Sequence, residues 1–138
     1  MRRIIPLAIG AVAAVAVAIP TVAGAGRAAG PVTVTLKEFT VKVAPASAKA
    51  GKVTFVVRNA GALEHELEVI RWGKAPGAIP LEGDKAKVPS GAELGEVEDI
   101  APGATKRLTL TLSKGSYALI CNLRGHYKAG QRTVFKVT

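Results

Sequence analysis

Short runs in which apolar and polar residues alternate occupy most of the chain after residue 31. Val32, Val34 and Leu36 share one side of the first run, and the same period of two recurs at residues 53–57, 108–112, 117–121 and 133–137. A period of two is typical of strands that bury one face. With residues 39–43 and 65–71 added, the pattern predicts about seven short strands and no convincing helix.

Turn-forming residues separate these runs and indicate the fold class. The segments 59–61, 102–103 and 114–115 each contain glycine and fall between two predicted strands. Short strands with frequent turns and no helical segment predict an all-β chain, folded as an antiparallel two-sheet sandwich. Residues 73–102 interrupt the rhythm with four prolines and five glycines. We expect a long surface connection there, with at most one short strand, at 96–100.

The first 26 residues do not fit this pattern and predict export. Arg2 and Arg3 precede a run without charge from Ile4 to Gly26, the order of basic and apolar regions in a signal peptide. Ala23, Gly24 and Ala25 supply the small residues that a signal peptidase reads, so we expect cleavage after Ala25. The run also approaches the ~20 residues that span a bilayer, so an uncleaved anchor is the alternative. We expect this leader at 1–25, a spacer at 26–31, one domain at 32–138, and a periplasmic or extracellular location.

The charge balance limits the choice of partners. Without Arg2 and Arg3, 17 of the 19 basic residues remain against 10 acidic ones, which gives the exported part a formal charge of +7. The cations are scattered and not interleaved with aromatic residues, so we expect no nucleic-acid partner. A solvated surface with one sign in excess is the simpler interpretation. The functional interpretation is attraction toward an acidic redox partner protein or an anionic membrane surface.

One motif collects most of the residues that could carry chemistry. The chain has one cysteine and two histidines, and Cys121 and His126 lie in the pattern C-x4-H-x4-Q, which ends at Gln131. Cys121 is the last core-facing residue of a predicted strand. Glycines at 125 and 130 let the following segment turn back toward the same end of the sandwich. His65 begins another predicted strand and shares its inward side, so it points to one end of the sandwich too.

Each of these residues has a simpler interpretation when taken alone. A single histidine is commonly a packed or surface residue, a buried cysteine behaves as a small apolar residue, and a glutamine can simply precede a strand. A single cysteine in an exported chain cannot form an internal disulfide, however, and a free thiol is exposed to oxidation there. Two imidazoles, one thiolate and a weak fourth ligand are the donors of a type 1 copper site. The sequence therefore predicts one copper ion cycling between Cu(I) and Cu(II).

The segment from Cys121 to Gln131, with Asn59-x-Gly61-x-x-x-His65 upstream and two turns between them, resembles the plastocyanin/azurin-like cupredoxins of bacterial exported proteins. The resemblance covers residues 31–138. It implies a Greek-key β-sandwich and strong copper ligands at His65, Cys121 and His126. Gln131 matches the place where most relatives have methionine. Glutamine fills that place in the stellacyanin-like branch, whose sites tend toward lower potentials.

Two further positions depart from the resembled pattern. Arg124 stands where relatives often have proline, which places a cation beside the expected ligand loop. Glu66 stands where plastocyanins have asparagine, which implies that a hydrogen bond between the two ligand-bearing segments is absent. We expect Glu64 and Glu66, which flank His65, to be solvated charges.

Four functions are open to such a chain. The first is a one-electron carrier, with no enzymatic activity and no small-molecule substrate. The second is a copper chaperone or resistance protein without redox turnover, which would favour Met- or His-rich tracts, whereas this chain has one methionine and two histidines. The third is a thiol enzyme using Cys121 and His126, for which no third orienting group is evident. The fourth, a sandwich module without metal, leaves the exported thiol unexplained.

Overall fold

Eleven strands and one 3-10 turn make up the regular structure of the computed structural model, which describes residues 30–138. The strands are β1 (Val32–Lys37), β2 (Thr40–Ala44), β3 (Ser47–Ala48), β4 (Gly51–Asn59), β5 (His65–Arg71), β6 (Leu81–Glu82), β7 (Lys85–Ala86), β8 (Glu93–Ile100), β9 (Thr105–Leu112), β10 (Gly115–Ile120) and β11 (Arg132–Val137). The 3-10 turn is Pro76–Ala78.

Two sheets form a sandwich, as the alternating pattern predicts. The first sheet has the order β2-β1-β4-β9 and the second β3-β11-β10-β5-β8, while β6 and β7 form a separate hairpin. The β1–β4 and β3–β11 pairs are parallel. The predictions of about seven strands and of purely antiparallel pairing are therefore wrong. Strands β3, β6 and β7 have two residues each, too few for an alternating pattern to show, and alternation carries no information about strand direction.

The main core lies between the two sheets and consists mostly of aliphatic side chains. Phe55 of the first sheet meets Phe135 of the second edge to face, with ring centroids 5.3 Å apart. Around this pair, the residues facing inward from β1, β4, β5 and β10 are fully buried. Edge-to-face packing is a favoured arrangement of two aromatic rings. This core fixes the relative positions of the strands whose ends carry the candidate site.

A second, smaller core lies on the outer side of β5 and β10. It contains Ile70, Ala118 and Ile120 from the sheet, Ile79 and Ala86 from the connection after β5, and Tyr127. Because this connection covers the sheet, β5 is buried on both faces from His65 to Ile70. The predicted surface connection at 73–102, with one short strand, therefore holds more structure than expected, because β6, β7 and the eight-residue β8 lie in it. Within residues 76–86, Ile79 and Ala86 are buried, while most of the others are exposed as expected. The few apolar residues of this segment follow no period, so the sequence gives no sign of the packing.

The predicted leader at 1–25 and most of the predicted spacer at 26–31 lie outside the described residues. Residues 30–138 include no helix with the length and apolar character needed to cross a bilayer.

Candidate metal centre

The four predicted donor residues converge at one end of the sandwich. His65 is the first residue of β5, Cys121 directly follows β10, and Gln131 directly precedes β11. His126 lies on the loop between those last two strands. Since β5, β10 and β11 are neighbours in one sheet, their ends at this pole bring the side chains together. Three of the four, His65, Cys121 and Gln131, are completely buried.

The potential donor atoms lie at distances that suit one small metal ion. The two Nδ1 atoms of His65 and His126 are 3.2 Å apart, and Cys121 Sγ lies 3.4 Å from Nδ1 of His126 and 3.8 Å from Nδ1 of His65. Two nitrogen ligands about 2.0–2.1 Å from one ion would stand about 3.3–3.4 Å apart at a tetrahedral angle, using zinc–imidazole distances as a guide. Among the described residues, His65, Cys121 and His126 form a group of three side chains close enough together to hold one metal ion.

The electrostatic environment of these groups suits metal binding. Burial raises the pKa of the Cys121 thiol to about 11, so the sulfur carries a proton at neutral pH unless a cation replaces it. Burial and the neighbouring His65 lower the pKa of His126, which keeps its imidazole neutral. A neutral imidazole has a lone pair free to bind a metal. A metal ion at this site would therefore displace a proton from sulfur and none from His126.

Gln131 places a buried amide beside the other donors. Its Nε2 lies 3.0 Å from Nδ1 of His65, and its Oε1 is buried with no hydrogen-bond partner among the described residues. A buried amide oxygen without a partner costs free energy, and a metal ion would satisfy it. A half-turn of the amide about its last bond exchanges the two atoms. The donor set of two imidazole nitrogens, one sulfur and one amide oxygen thus fits a type 1 copper ion.

Glu38, which the sequence analysis did not single out, supports the far side of the His65 ring. Its Oε1 lies 2.9 Å from Nε2 of His65 and also accepts the N–H groups of Ala62, at 2.9 Å, and Leu63, at 2.7 Å. These bonds, above all the one from Leu63, lower the pKa of Glu38 to about 2, so its carboxyl group is ionised. Glu38 lies in the turn between β1 and β2, 27 residues before His65, and no motif spacing connects the two residues.

Glu66 links the two ligand-bearing segments and is not the solvated charge expected from the sequence. Its side chain is 6% exposed, its N–H points at Cys121 Sγ at 3.4 Å, and its Oε1 accepts the N–H of Asn122 at 3.1 Å. Burial raises the pKa of Glu66. The hydrogen bond expected to be absent is therefore present, made by a carboxylate instead of an amide. Glu64 is exposed, as expected.

The loop from Cys121 to Gln131 is attached to the connection that follows β5. Asn122 makes two hydrogen bonds to the backbone of Ala86, at 2.7 and 3.2 Å, and the N–H of Gly125 binds the carbonyl of Asp84 at 2.9 Å. The hydroxyl of Tyr127 reaches two carbonyls of the connection, at 2.9 and 3.0 Å. The side chain of Arg124 is 86% exposed and lies 3.9 Å from Asp84, so it is on the surface.

His126 is the donor residue nearest the surface. It is partly exposed, and the ring of Phe39 meets its ring edge to face, with centroids 5.1 Å apart. Phe39 and Leu63 are themselves exposed by 38% and 48%. The site therefore lies beneath a partly apolar surface, with one imidazole reaching toward solvent.

Comparison with known proteins gives one family and a consistent set of folds. The model of the cupredoxin-like domain family matches residues 7–134. Reduced auracyanin from Roseiflexus castenholzii is 18% identical, with 77% of this chain and 94% of that chain covered and a TM-score of 0.57. Auracyanin A, a "blue" copper protein from Chloroflexus aurantiacus, is 22% identical, with 79% and 100% covered and a TM-score of 0.55.

Rusticyanin from Thiobacillus ferrooxidans is a third similar structure. It is 13% identical, with 77% of this chain and 76% of that chain covered and a TM-score of 0.57. At these identities the likenesses concern the fold. No curated protein sequence matches the chain.

Proposed function

Because the chain belongs to the cupredoxin-like domain family, we propose that it is a type 1 copper protein that carries single electrons between redox partners and is not an enzyme. The observation that carries this proposal is the convergence of one buried sulfur and two imidazole nitrogens within 4.8 Å of one another. A soft thiolate favours Cu(I), imidazole suits both oxidation states, and the fourth position holds a weak donor. The ion supplies the redox change, and His65, Cys121, His126 and Gln131 are its proposed ligands.

The chain contributes a rigid and dry site for that ion. Cys121 is fixed by the N–H of Glu66, and His65 by Glu38, so these two donors are held from outside the metal position. Ligands that keep their positions in both oxidation states reduce the rearrangement that accompanies electron transfer. His126 is the donor closest to solvent, which makes it the natural point of electron entry and exit.

Copper loading tests the function directly. Cu(II) added to the reduced protein should give an intense blue thiolate-to-copper absorption band and a type 1 EPR spectrum, and one electron per protein should bleach both reversibly. Cys121→Ser should abolish the band, because the sulfur is its source. Circular dichroism of this variant checks that the sandwich still folds. A colourless stoichiometric Cu(II) complex of the wild-type protein would refute the assignment, and a band without reversible reduction would favour copper storage.

We further propose an exported protein whose partner is acidic. The basic residues followed by an apolar run at the start of the chain support export. The charge on the outer face of the first sheet supports an acidic partner, since the strands place no carboxylate on that face. The five exposed cations on it are Lys37, Lys42, Lys52, Arg58 and Arg107. Electron exchange with an acidic partner should slow as salt rises, because screening acts over about 8 Å at physiological ionic strength. A rate independent of salt would refute the acidic partner, and salt-sensitive binding to anionic vesicles would favour the membrane surface.

A further inference from the structure

A single carboxylate oxygen joins His65 to the turn that precedes it. Glu38 Oε1 accepts hydrogen bonds from Ala62, Leu63 and His65, all within 2.9 Å. The Glu38 side chain is 22% exposed, whereas His65 is completely buried. Glu38 comes from the β1–β2 turn of the first sheet and His65 from the second sheet. The contact therefore bridges the two layers at the end of the sandwich where the donors meet.

The turn between β4 and β5 is shaped to enclose this carboxylate. A Cβ atom on Gly61 would lie 2.3 Å from Glu38 Oε1, so a side chain at this position would displace the carboxylate. Asn59 accepts the N–H of Gly61 at 2.9 Å, and the N–H of Ala60 binds the carbonyl of Leu36 at 2.8 Å. The backbone is thus tied to β1 on one side and folded around the carboxylate on the other.

The hydrogen-bond partners of His65 determine which nitrogen carries its proton. An ionised carboxylate can only accept, so the contact with Glu38 requires a proton on Nε2. The Nδ1 atom on the other side of the ring faces Cys121, His126 and Gln131. With the proton on Nε2, Nδ1 presents its lone pair to the metal position. A carboxylate behind a histidine ligand orients the ring and makes its nitrogen a stronger donor.

We propose that Glu38 is the positioning residue of the copper site, which fixes the tautomer and orientation of His65 and, through its charge, stabilises Cu(II) relative to Cu(I). This inference rests on the proposed function and assigns to Glu38 a part that no motif in the sequence suggests. A negative charge one imidazole away from the ion interacts more strongly with the dication than with the monocation. Glu38 therefore lowers the reduction potential and strengthens Cu(II) binding.

Glu38→Gln is the informative variant, because the amide keeps an oxygen that can accept the same N–H groups but removes the charge. Its matched control is Glu64→Gln, which removes the same charge from an exposed side chain adjacent to His65 in the sequence. We expect Glu38→Gln to raise the reduction potential and to weaken Cu(II) binding roughly 10- to 100-fold, the usual loss for such a partner of a metal ligand. Glu64→Gln should change both much less.

A purely structural role for Glu38, capping the turn through Ala62 and Leu63, would alter the free energy of unfolding without altering the potential. Equal potentials and affinities in the two variants would therefore overturn the proposal. The wild-type protein without metal provides a second measurement, independent of how any variant folds. Its ¹⁵N NMR spectrum should show His65 protonated at Nε2, and a ring protonated at Nδ1 would also overturn the proposal.

These outcomes can be told apart from a failure of the proposed function. If wild-type protein binds Cu(II) without a blue band, the electron-carrier proposal fails whatever the variants do. The NMR tautomer and the affinity of each variant for Zn(II), which has no redox chemistry, still report on Glu38 in that case. If the wild-type protein is blue and both variants match it, only the role of Glu38 is refuted.

Discussion

His65 and the loop from Cys121 to Gln131 meet at one pole, but different parts of the molecule hold them there. The turn before His65 is held from within, by the side chain of Asn59, and from the neighbouring sheet by Glu38. The loop is held instead by residues 76–86, whose backbone binds Asn122, Gly125 and Tyr127.

The two parts of the site differ in how far along the sequence their supporting residues lie from the donor residues. Asn59 is six residues before His65 and completely buried, so a residue within the turn itself supplies much of its support, alongside Glu38 and the carbonyl of Ile100. The loop requires a connection 36 to 51 residues away, with its own small core around Ile79 and Tyr127. His65 is thus held by the turn between β4 and β5, whereas the loop from Cys121 to Gln131 depends on the docking of the long connection after β5. Substitutions in the two halves should differ in kind as well as in size.

The largest expected effect comes from comparing Asn59→Ala with Asn122→Ala. Asn59 donates to the carbonyls of Leu63 and Ile100, at 2.7 and 2.8 Å, and accepts from Gly61. Its loss leaves one buried and two partly buried backbone groups without these partners, so we expect about 3 kcal/mol of destabilisation. Asn122 makes two bonds to Ala86, so its loss should cost about 1.5 kcal/mol. Denaturant unfolding measures both.

Copper binding sharpens this comparison. We expect Asn122→Ala to alter the copper spectrum more per kilocalorie of lost stability, since it loosens the loop that carries three of the donors. A larger cost in unfolding free energy for Asn122→Ala would show that the connection is the main support of the pole, and equal costs would show that the connection and the turn between β4 and β5 contribute alike.

The two halves also differ in how much of them the sequence reveals. The sandwich and the position of Cys121 at a strand end follow from alternation, and the loop motif places His126 and Gln131 at the same end. Glu38 could not be found this way, because a contact between two layers leaves no periodic trace. The burial of Glu66 could not be predicted either, because the sequence alone does not show that the connection after β5 covers the outer side of that strand. Strand direction likewise depends on pairing between distant segments, which alternation does not encode.

A smaller effect is expected from pH, through Glu68 on β5. Burial, with the nearby charges of Glu66 and Glu93, raises the pKa of Glu68 to about 7 from 4.5, and its Oε2 has no hydrogen-bond partner among the described residues. The unfolded chain thus loses this proton near pH 4.5 and the folded chain near pH 7. The contribution of Glu68 to stability is fully present below pH 4.5 and is lost as pH rises through 7, by about 2.5 kcal/mol between pH 5 and pH 8.

Glu68→Gln isolates this contribution, because the amide cannot ionise and has nearly the same shape. The difference in unfolding free energy between variant and wild type should shift in favour of the variant by about 2.5 kcal/mol between pH 5 and pH 8. Other titrating groups are common to both proteins and cancel in that difference. A difference that stays constant with pH would mean that Glu68 is ionised in the folded protein throughout, and that the connection admits water to it.

The smallest effect on stability, and the most informative on the metal, is expected for Gln131→Met. The two side chains have similar size, and the substitution removes a buried oxygen that lacks a partner, so the unfolding free energy should change by about 1 kcal/mol or less. An amide oxygen is a harder donor than a thioether and stabilises Cu(II) relative to Cu(I). If Gln131 occupies the axial position, methionine should raise the reduction potential and change the EPR spectrum. Redox titration of both proteins measures this, with Glu64→Gln as a control for unrelated changes at the pole. An unchanged or lower potential would refute axial ligation by Gln131 and leave His65, Cys121 and His126 as the site, with Gln131 serving only to hold Nδ1 of His65.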